Sequence, residues 1–323
     1  ALRAEQADRR GRGARPLGIG IGAFVERAGG APDSWEYGAV EIADGGRVVA
    51  TTGTTSAGQG QATVWRRLVA SRFDIETESV ALRSGDTADV SHSVGSFASR
   101  SAQIGASAVW RCAGQVRQMA AALAAELLEA DPADLVTAGG GFHVVGVPDV
   151  PISLAKVAAA AGERGISLAA EERYSPGAQT FPYGVHVAVV EVELDTGRVV
   201  PLRLVAVDDV GVVLDQMIVA GQVHGSVMQG LGAALYERMQ FDGFGQPLTT
   251  TFMDYLVPSF ALDAPLVTDH LSHPAPSNPL GAKGAGEGGC IGMPPAILNA
   301  TLDALAPLGV DELQIPLTPD RVW

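Results

Sequence analysis

The chain has 323 residues, 47% of them hydrophobic and 18% charged, and its 22 Lys and Arg against 36 Asp and Glu give a formal net charge of −14. That is a globular composition with material for a sizeable core, and the acidic balance excludes a nucleic-acid partner, which needs clustered basic surface. No stretch reaches the roughly 18 apolar residues of a membrane helix, so no membrane association is expected.

Cys112 and Cys290 have no CxxC or Cys/His spacing, which points to neither a zinc site nor a disulfide framework and fits a cytoplasmic setting. Residues 1–16 lack the apolar core of a secretory signal and read as an extension or linker. Leu17 to Glu26 alternates small and apolar residues, and Trp35 to Ile42 and Arg47 to Thr52 repeat the pattern across Gly45 and Gly46, predicting a β-meander. Gly18, Gly20 and Gly22 fall inside the strand pattern, without the helix that a dinucleotide loop requires. Apolar spacing predicts a helix over Gln61 to Phe73, then a short strand at Ser79 to Arg83. A long helix follows, with Ile104, Ala108, Cys112, Val116, Met119, Leu123 and Leu127 on one face, ending at Asp131-Pro132.

Ala138 to Val147 reads as a hairpin and Ile152 to Ala161 as a short helix. Glu171 to Tyr183 is irregular and marks a lobe boundary. Strands at His186 to Leu194 and Val199 to Val207 flank an Asp-Thr-Gly turn. The helix from Leu214 to Arg238 carries Gly221, Gly225, Gly230 and Gly232, which predicts close packing against another backbone. Thr249 to Val257 then stands where a strand is expected, and a final helix runs from about Pro294 to Leu305. Each half reads as strands, helix, strand, helix. The expected fold is α+β, with two similar lobes of mixed sheet packed with helices over residues 17–170 and 171–323.

Three segments place glycines and uncharged donors before a helix, where free N–H groups accumulate. Thr54 to Gln61 combines Gly58 and Gly60 with the amides of Gln59 and Gln61; a helix-capping turn and a binding loop both fit. Gly95 to Gln103 offers Ser96, Ser99 and Ser101, and serine caps are common. Gly281 to Gly289 holds Glu287 and Lys283 among five glycines. A carboxylate with so little bulk around it is approachable by a large ligand, and partial desolvation there would raise its pKa toward that of a general base. A solvated acid paired with Lys283 is the simpler alternative.

The segments GTTSAGQGQ (Gly53 to Gln61), GSFASRS (Gly95 to Ser101), VDDVG (Val207 to Gly211) with IVAGQVHGSVMQG (Ile218 to Gly230), TFMDYLVP (Thr251 to Pro258) and PSNPLGAKGAGEGG (Pro276 to Gly289) occur in this order. Together they resemble the second half of the molybdopterin-binding large subunit of the xanthine dehydrogenase, aldehyde oxidase and carbon monoxide dehydrogenase family. The resemblance covers about Leu17 to Pro316, and the first half of that subunit has no counterpart.

The resemblance implies a molybdenum cofactor-binding fold, with Gln59, Gly60 and Gln61 at the phosphate and pterin end of the cofactor. Ala98, Ser99, Arg100 and Ser101 would line the metal side and the pterin linkage, and Gln222 and Lys283 would approach the cofactor. Glu287 would be the catalytic base, and no residue is implied as a protein ligand to the metal. It further implies oxidation of a substrate carbon, in an aldehyde, a purine, an N-heterocycle or carbon monoxide, with water-derived oxygen. The cofactor would be molybdopterin with molybdenum, plain or as the cytosine dinucleotide. Iron–sulfur clusters and FAD would sit on partner chains, and the missing N-terminal half would be a further partner. Gln61 stands where many members have histidine, Val210 where cysteine is frequent, and Cys290 where a small alcohol or alanine is usual. The alternative is a cofactor-free fragment or assembly module.

Overall fold

In the computed structural model, which describes every residue but 32, 91 and 260–263, the elements in chain order are α1 (Leu2–Gly11), β1 (Leu17–Val25), β2 (Glu36–Ala43), β3 (Arg47–Thr52), α2 (Gln61–Phe73), β4 (Ala81–Arg83), α3 (Ala106–Leu128), β5 (Leu135–Ala138), β6 (Gly141–Val144), β7 (Val147–Ser153), α4 (Leu154–Glu163), β8 (Ala169–Tyr174), β9 (Tyr183–Glu193), β10 (Arg198–Asp209), α5 (Gln216–Leu235), β11 (Leu266–Leu271), α6 (Gly288–Leu305) and α7 (Pro319–Val322). They form two compact units: unit I of Ala1–Arg27, Phe181–His273 and Ala285–Trp323, and unit II of Ala28–Thr180 and Pro274–Gly284. Both units are discontinuous, unlike the expected lobes, because strand pairing overrides chain order. β1 pairs with β9 and not with β2, so the expected opening meander reduces to a β2–β3 hairpin. Residues expected as a linker form α1.

Unit I is built on the sheet β1-β9-β10-β11, antiparallel except for the parallel β10–β11 pair that α5 connects. Val190, Leu204, Val227, Leu231, Met293 and Ile297 lie in one buried cluster of sheet, α5 and α6, each contributing about 1.5–3 kcal/mol by removal from water. The alternating glycines of β1 explain the close seating of α6: a Cβ on Gly18, Gly20 or Gly22 would overlap the backbone at Ala300, Ala296 or Gly292 respectively. Two strand residues advance about 6.7 Å and four helix residues about 6 Å, so the two repeats stay nearly in step.

On α5, Gly230 meets the Gly289 carbonyl and Gly232 packs against Glu237 and Pro258. Gly221 and Gly225 meet nothing within 4 Å among the described residues, so the expected close packing against another backbone holds for Gly230 alone. Thr249 to Val257 forms no strand. There Thr251 Oγ1 donates to Asp254 (3.0 Å) and accepts from Met253 N–H (3.2 Å), local bonds that favour turns, and the parallel strand is β11. The last helix starts at Gly288, ahead of the expected Pro294, with Pro294 and Pro295 inside it. A proline need not mark the first turn where the carbonyl it leaves unpaired is tolerated.

Unit II repeats the plan. Its sheet runs β4-β3-β2-β8, antiparallel except for the parallel β3–β4 pair that α2 connects, and Ile104, Ala108 and Tyr174 cluster where α3 covers it. Gly38 lets the α3 backbone at Ala108 and Val109 approach the sheet. Met119 and Leu127, expected on the buried face of α3, are exposed, while Ala120, Ala124 and Ala125 are buried in their place. Strands β5, β6 and β7 form a separate antiparallel meander. The order β9, β10, α5, β11, α6 thus matches β2, β3, α2, β4, α3, with β1 and β8 each antiparallel outside the first strand. The molecule is α+β with two similar lobes, as the element pattern of the sequence predicts.

Candidate functional site

In open sheets, loops at the carboxyl ends of parallel strands are the usual place for ligands. The candidate residues lie there in both units.

In unit II the loops after β3 and β4 interlock. Gly60 caps α2 in the left-handed conformation (φ 72°), Gly58 is also left-handed, and Gln59 Oε1 accepts from Ala57 N–H at 2.6 Å. Gln61 is buried, and its Oε1 lies 3.4 Å from Ser96 Oγ, whose hydroxyl donates to the Thr55 carbonyl (2.9 Å). Thr54 accepts from Trp65 Nε1 at 3.0 Å and fills the space a side chain at Gly105 would need. Ala98 and Ser99 both adopt left-handed backbone, at φ 47° and 50°. That conformation costs L-residues on the order of 1 kcal/mol or more, and such strain clusters at ligand clamps. Ser101 opens a π-helical turn, Ser101–Gly105, ahead of α3, a feature frequent at functional sites. Gly284 lies against Ser99, so a Cβ there would overlap it. The structure therefore brings Gln59 to Gln61, Ala98 to Ser101 and the segment of Lys283 together in one unit.

Arg100 differs from the expectation. Its side chain does not line an outer surface: it is fully buried, donating to Glu36 Oε2 at 2.7 Å, to Ser34 Oγ at 3.3 Å, and to the Gly95 and Trp35 carbonyls. Glu36 is equally buried and was not singled out from sequence. The available signal is its phase, because Glu36 shares the inward positions of β2 with Gly38, Val40 and Ile42. Gln103, also missed, is fully buried with Nε2 on the Ser99 carbonyl (3.2 Å), while its Oε1 has no partner among the described residues.

Unit I holds Glu287 and Gln222. Glu287 is exposed at the N-cap of α6, so the partial desolvation expected of it is not supplied by its surroundings in the chain. Gly286 lies beside Gln222, and Gly289 N–H donates to Ser226 Oγ at 3.1 Å, which fixes the first turn of α6 on α5. The glycine run is thus divided, with Lys283 in unit II and Glu287 in unit I. Cys290 is half-buried with Sγ 3.0 Å from the Glu287 carbonyl, and burial, then the Glu287 charge, push its thiol up. Burial pushes Cys112 up to about 12. Both therefore stay as thiols near neutrality.

Among the described residues no helix is long and apolar enough to cross a membrane. Residues 1–264 match the molybdopterin cofactor-binding domain family. The chain is 39% identical over 318 residues to the 6-hydroxypseudooxynicotine dehydrogenase complex subunit gamma of Paenarthrobacter nicotinovorans, covering 96% of this chain and 39% of that one. It is 33% identical over 342 residues to the carbon monoxide dehydrogenase large chain of Hydrogenophaga pseudoflava, covering 100% and 42%. Its fold superposes on quinoline 2-oxidoreductase from Pseudomonas putida 86 with a TM-score of 0.91 and 35% identity, over 99% of this chain and 43% of that one. The chain spans about two fifths of the length of these relatives. By the family match and these identities, it belongs to the molybdopterin cofactor-binding domain family, that of the xanthine dehydrogenase and carbon monoxide dehydrogenase large subunits.

Proposed function

We propose that the chain is the cofactor-holding portion of a molybdenum hydroxylase large subunit, which oxidises a substrate carbon with water-derived oxygen. The observation that carries this reading is the interlocked pair of loops in unit II, where left-handed Gly58, Gly60, Ala98 and Ser99 shape a surface of backbone amides, carboxamides and hydroxyls. A phosphate and a pterin ring need such a donor-rich, uncharged surface. The residues present fit the group.

Gln59, Gly60 and Gln61 would hold its phosphate end, and Ala98, Ser99 and Ser101 its pterin linkage, with Lys283 in the same unit; Gln222 is a further candidate contact. Arg100 would act through its backbone, since its guanidinium is committed to Glu36. Bound molybdopterin supplies two-electron redox chemistry at molybdenum, in the plain or the cytosine dinucleotide form. Glu287 would serve as the proton acceptor through its exposed carboxylate. Iron–sulfur clusters and FAD on partner chains would carry the electrons away, and the remaining part of the large subunit would complete the site, in the cytoplasm. N-heterocycles, aldehydes, purines and carbon monoxide are the substrate classes to screen.

Native mass spectrometry of the complex purified gently from its host tests this reading. A complex holding molybdopterin, an iron–sulfur protein and a flavoprotein supports it. A cofactor-free oligomer of this chain alone would replace it with an assembly module.

A further inference from the structure

We propose that Glu36 is the positioning residue that holds both cofactor loops of unit II in their binding shape. The proposal rests on the cofactor-binding reading of those loops. Glu36 stands at the first position of β2, at the sheet end from which the loops after β3 and β4 leave. Its fully buried carboxylate accepts from Val94 N–H (3.3 Å) and Gly95 N–H (2.8 Å) in the second loop, from its neighbour Tyr37 N–H (2.9 Å), and from Arg100 (2.7 Å). It also lies beneath Gly53, the first residue of the first loop, where any side chain would overlap Oε1 and Ser93. One carboxylate therefore touches the root of one loop and both ends of the other.

Arg100 closes the arrangement by donating to the Gly95 and Trp35 carbonyls, so the stretch from Gly95 to Arg100 forms a closed bracket. The left-handed Ala98 and Ser99 lie within that bracket. Strained backbone persists only where its surroundings over-determine it, and here Glu36 and Arg100 supply that constraint together with the bond from Gly29 N–H to the Ala98 carbonyl (2.9 Å). Glu36 is thus placed to act on the cofactor through the loops and not by contact.

A purely structural ion pair predicts something different. Replacing a buried pair by apolar residues of similar size is commonly neutral for stability, whereas it would remove the two amide contacts that shape the second loop. The test uses the assembled enzyme with Glu36→Gln, Glu36→Asp and the paired Glu36→Leu with Arg100→Met. The measurements are thermal midpoint, molybdopterin dissociation rate and hydrogen exchange of the 94–101 amides. Glu36→Asp keeps the charge but withdraws the carboxylate by one methylene, which covers the case in which the paired variant fails to fold.

The expected result is molybdopterin loss about tenfold faster, on the scale of one charge-assisted hydrogen bond, and faster exchange at 94–101. Both should appear in every variant that folds, including any with a native thermal midpoint. A folded variant with native dissociation and native exchange overturns the proposal. If the unaltered complex contains no molybdopterin, the cofactor reading fails. The positioning claim is then decided by exchange alone, supported by faster exchange in the variants and overturned by unchanged exchange.

Discussion

His186 Nε2 and Asp208 Oδ1 lie 2.9 Å apart, both buried, in the layer on which the first turns of α6 rest. Phe24 meets the imidazole edge-on at 5.4 Å, Gly288 sits over Phe24, and Gly292 sits over His186. No side chain larger than hydrogen fits at either glycine. This polar layer, rather than an apolar one, sets the height of the helix that Glu287 caps. Asp208→Asn removes the charge from the pair and is expected to cost about 1.5–3 kcal/mol, read as a lower urea midpoint. An unchanged midpoint would show that the pair does not hold α6.

The glycines divide into two groups with opposite expected signs. Gly20→Ala places a methyl group into the α6 backbone at Ala296 and Ala300 and is expected to destabilise by about 1–3 kcal/mol, the usual range for overpacking. Gly221→Ala meets nothing within 4 Å among the described residues, in the interior of α5, and is expected to stabilise by about 0.5–1 kcal/mol through helix propensity. Chemical denaturation of the two variants side by side checks both signs.

Acid should release α1 before the rest of unit I unfolds. Burial alone would raise the Asp303 carboxyl, but bonds from Ile19 N–H, Gln6 and Arg3 outweigh it and hold the group below its ordinary value. Glu191 is likewise pushed up by burial and pulled lower overall by Arg15 and Arg9. Arg3, Gln6 and Arg9 all belong to α1. A carboxyl depressed in the fold stabilises it above the unfolded value of about 3.9–4.3, and that stabilisation is lost as pH falls through the folded value. Amides of α1 should stay protected above about pH 5 and open below about pH 4. Asp303→Asn should open them at neutral pH, as seen by hydrogen exchange.

On the proposed function, Glu287→Gln in the assembled enzyme should lower turnover by about 10²-fold or more. The exposed position of Glu287 keeps the change in stability within about 0.5 kcal/mol. Molybdenum content and turnover measured together check the assignment; full activity would remove Glu287 from proton transfer.

Local signals were legible where local energetics decide. Helix α2 matches the expected Gln61 to Phe73 because its apolar spacing and flanking left-handed Gly60 and Asp74 act within one segment. The β9–β10 hairpin is legible for the same reason. What depends on distant partners was not legible. The choice of β9 for β1 is settled by backbone packing on α6, and the split of the Gly281 to Gly289 run by its distant partners, Ser99 beside Gly284 in unit II and Ser226 beside Gly289 in unit I. Polar residues in apolar phase, Glu36 and His186, were the readable signs of a buried network, and they lie in strands whose pattern otherwise speaks only of core. Arg100 was placed by resemblance, yet its side chain turned inward because a fully buried carboxylate stood ready to pair with it.

The repeated plan of strands and helices has a consequence for how such a molecule can change over generations. On the proposed function, unit II would carry the anchoring groups on the loops around α2 and α3 and unit I the acid at the start of α6, each beside its own buried pair, Glu36 with Arg100 and His186 with Asp208. A lesion in one bracing pair leaves the bonds of the other unbroken. On that proposal, retention of a prosthetic group and handling of protons would be separable traits, and inherited variation could tune either without first undoing the other.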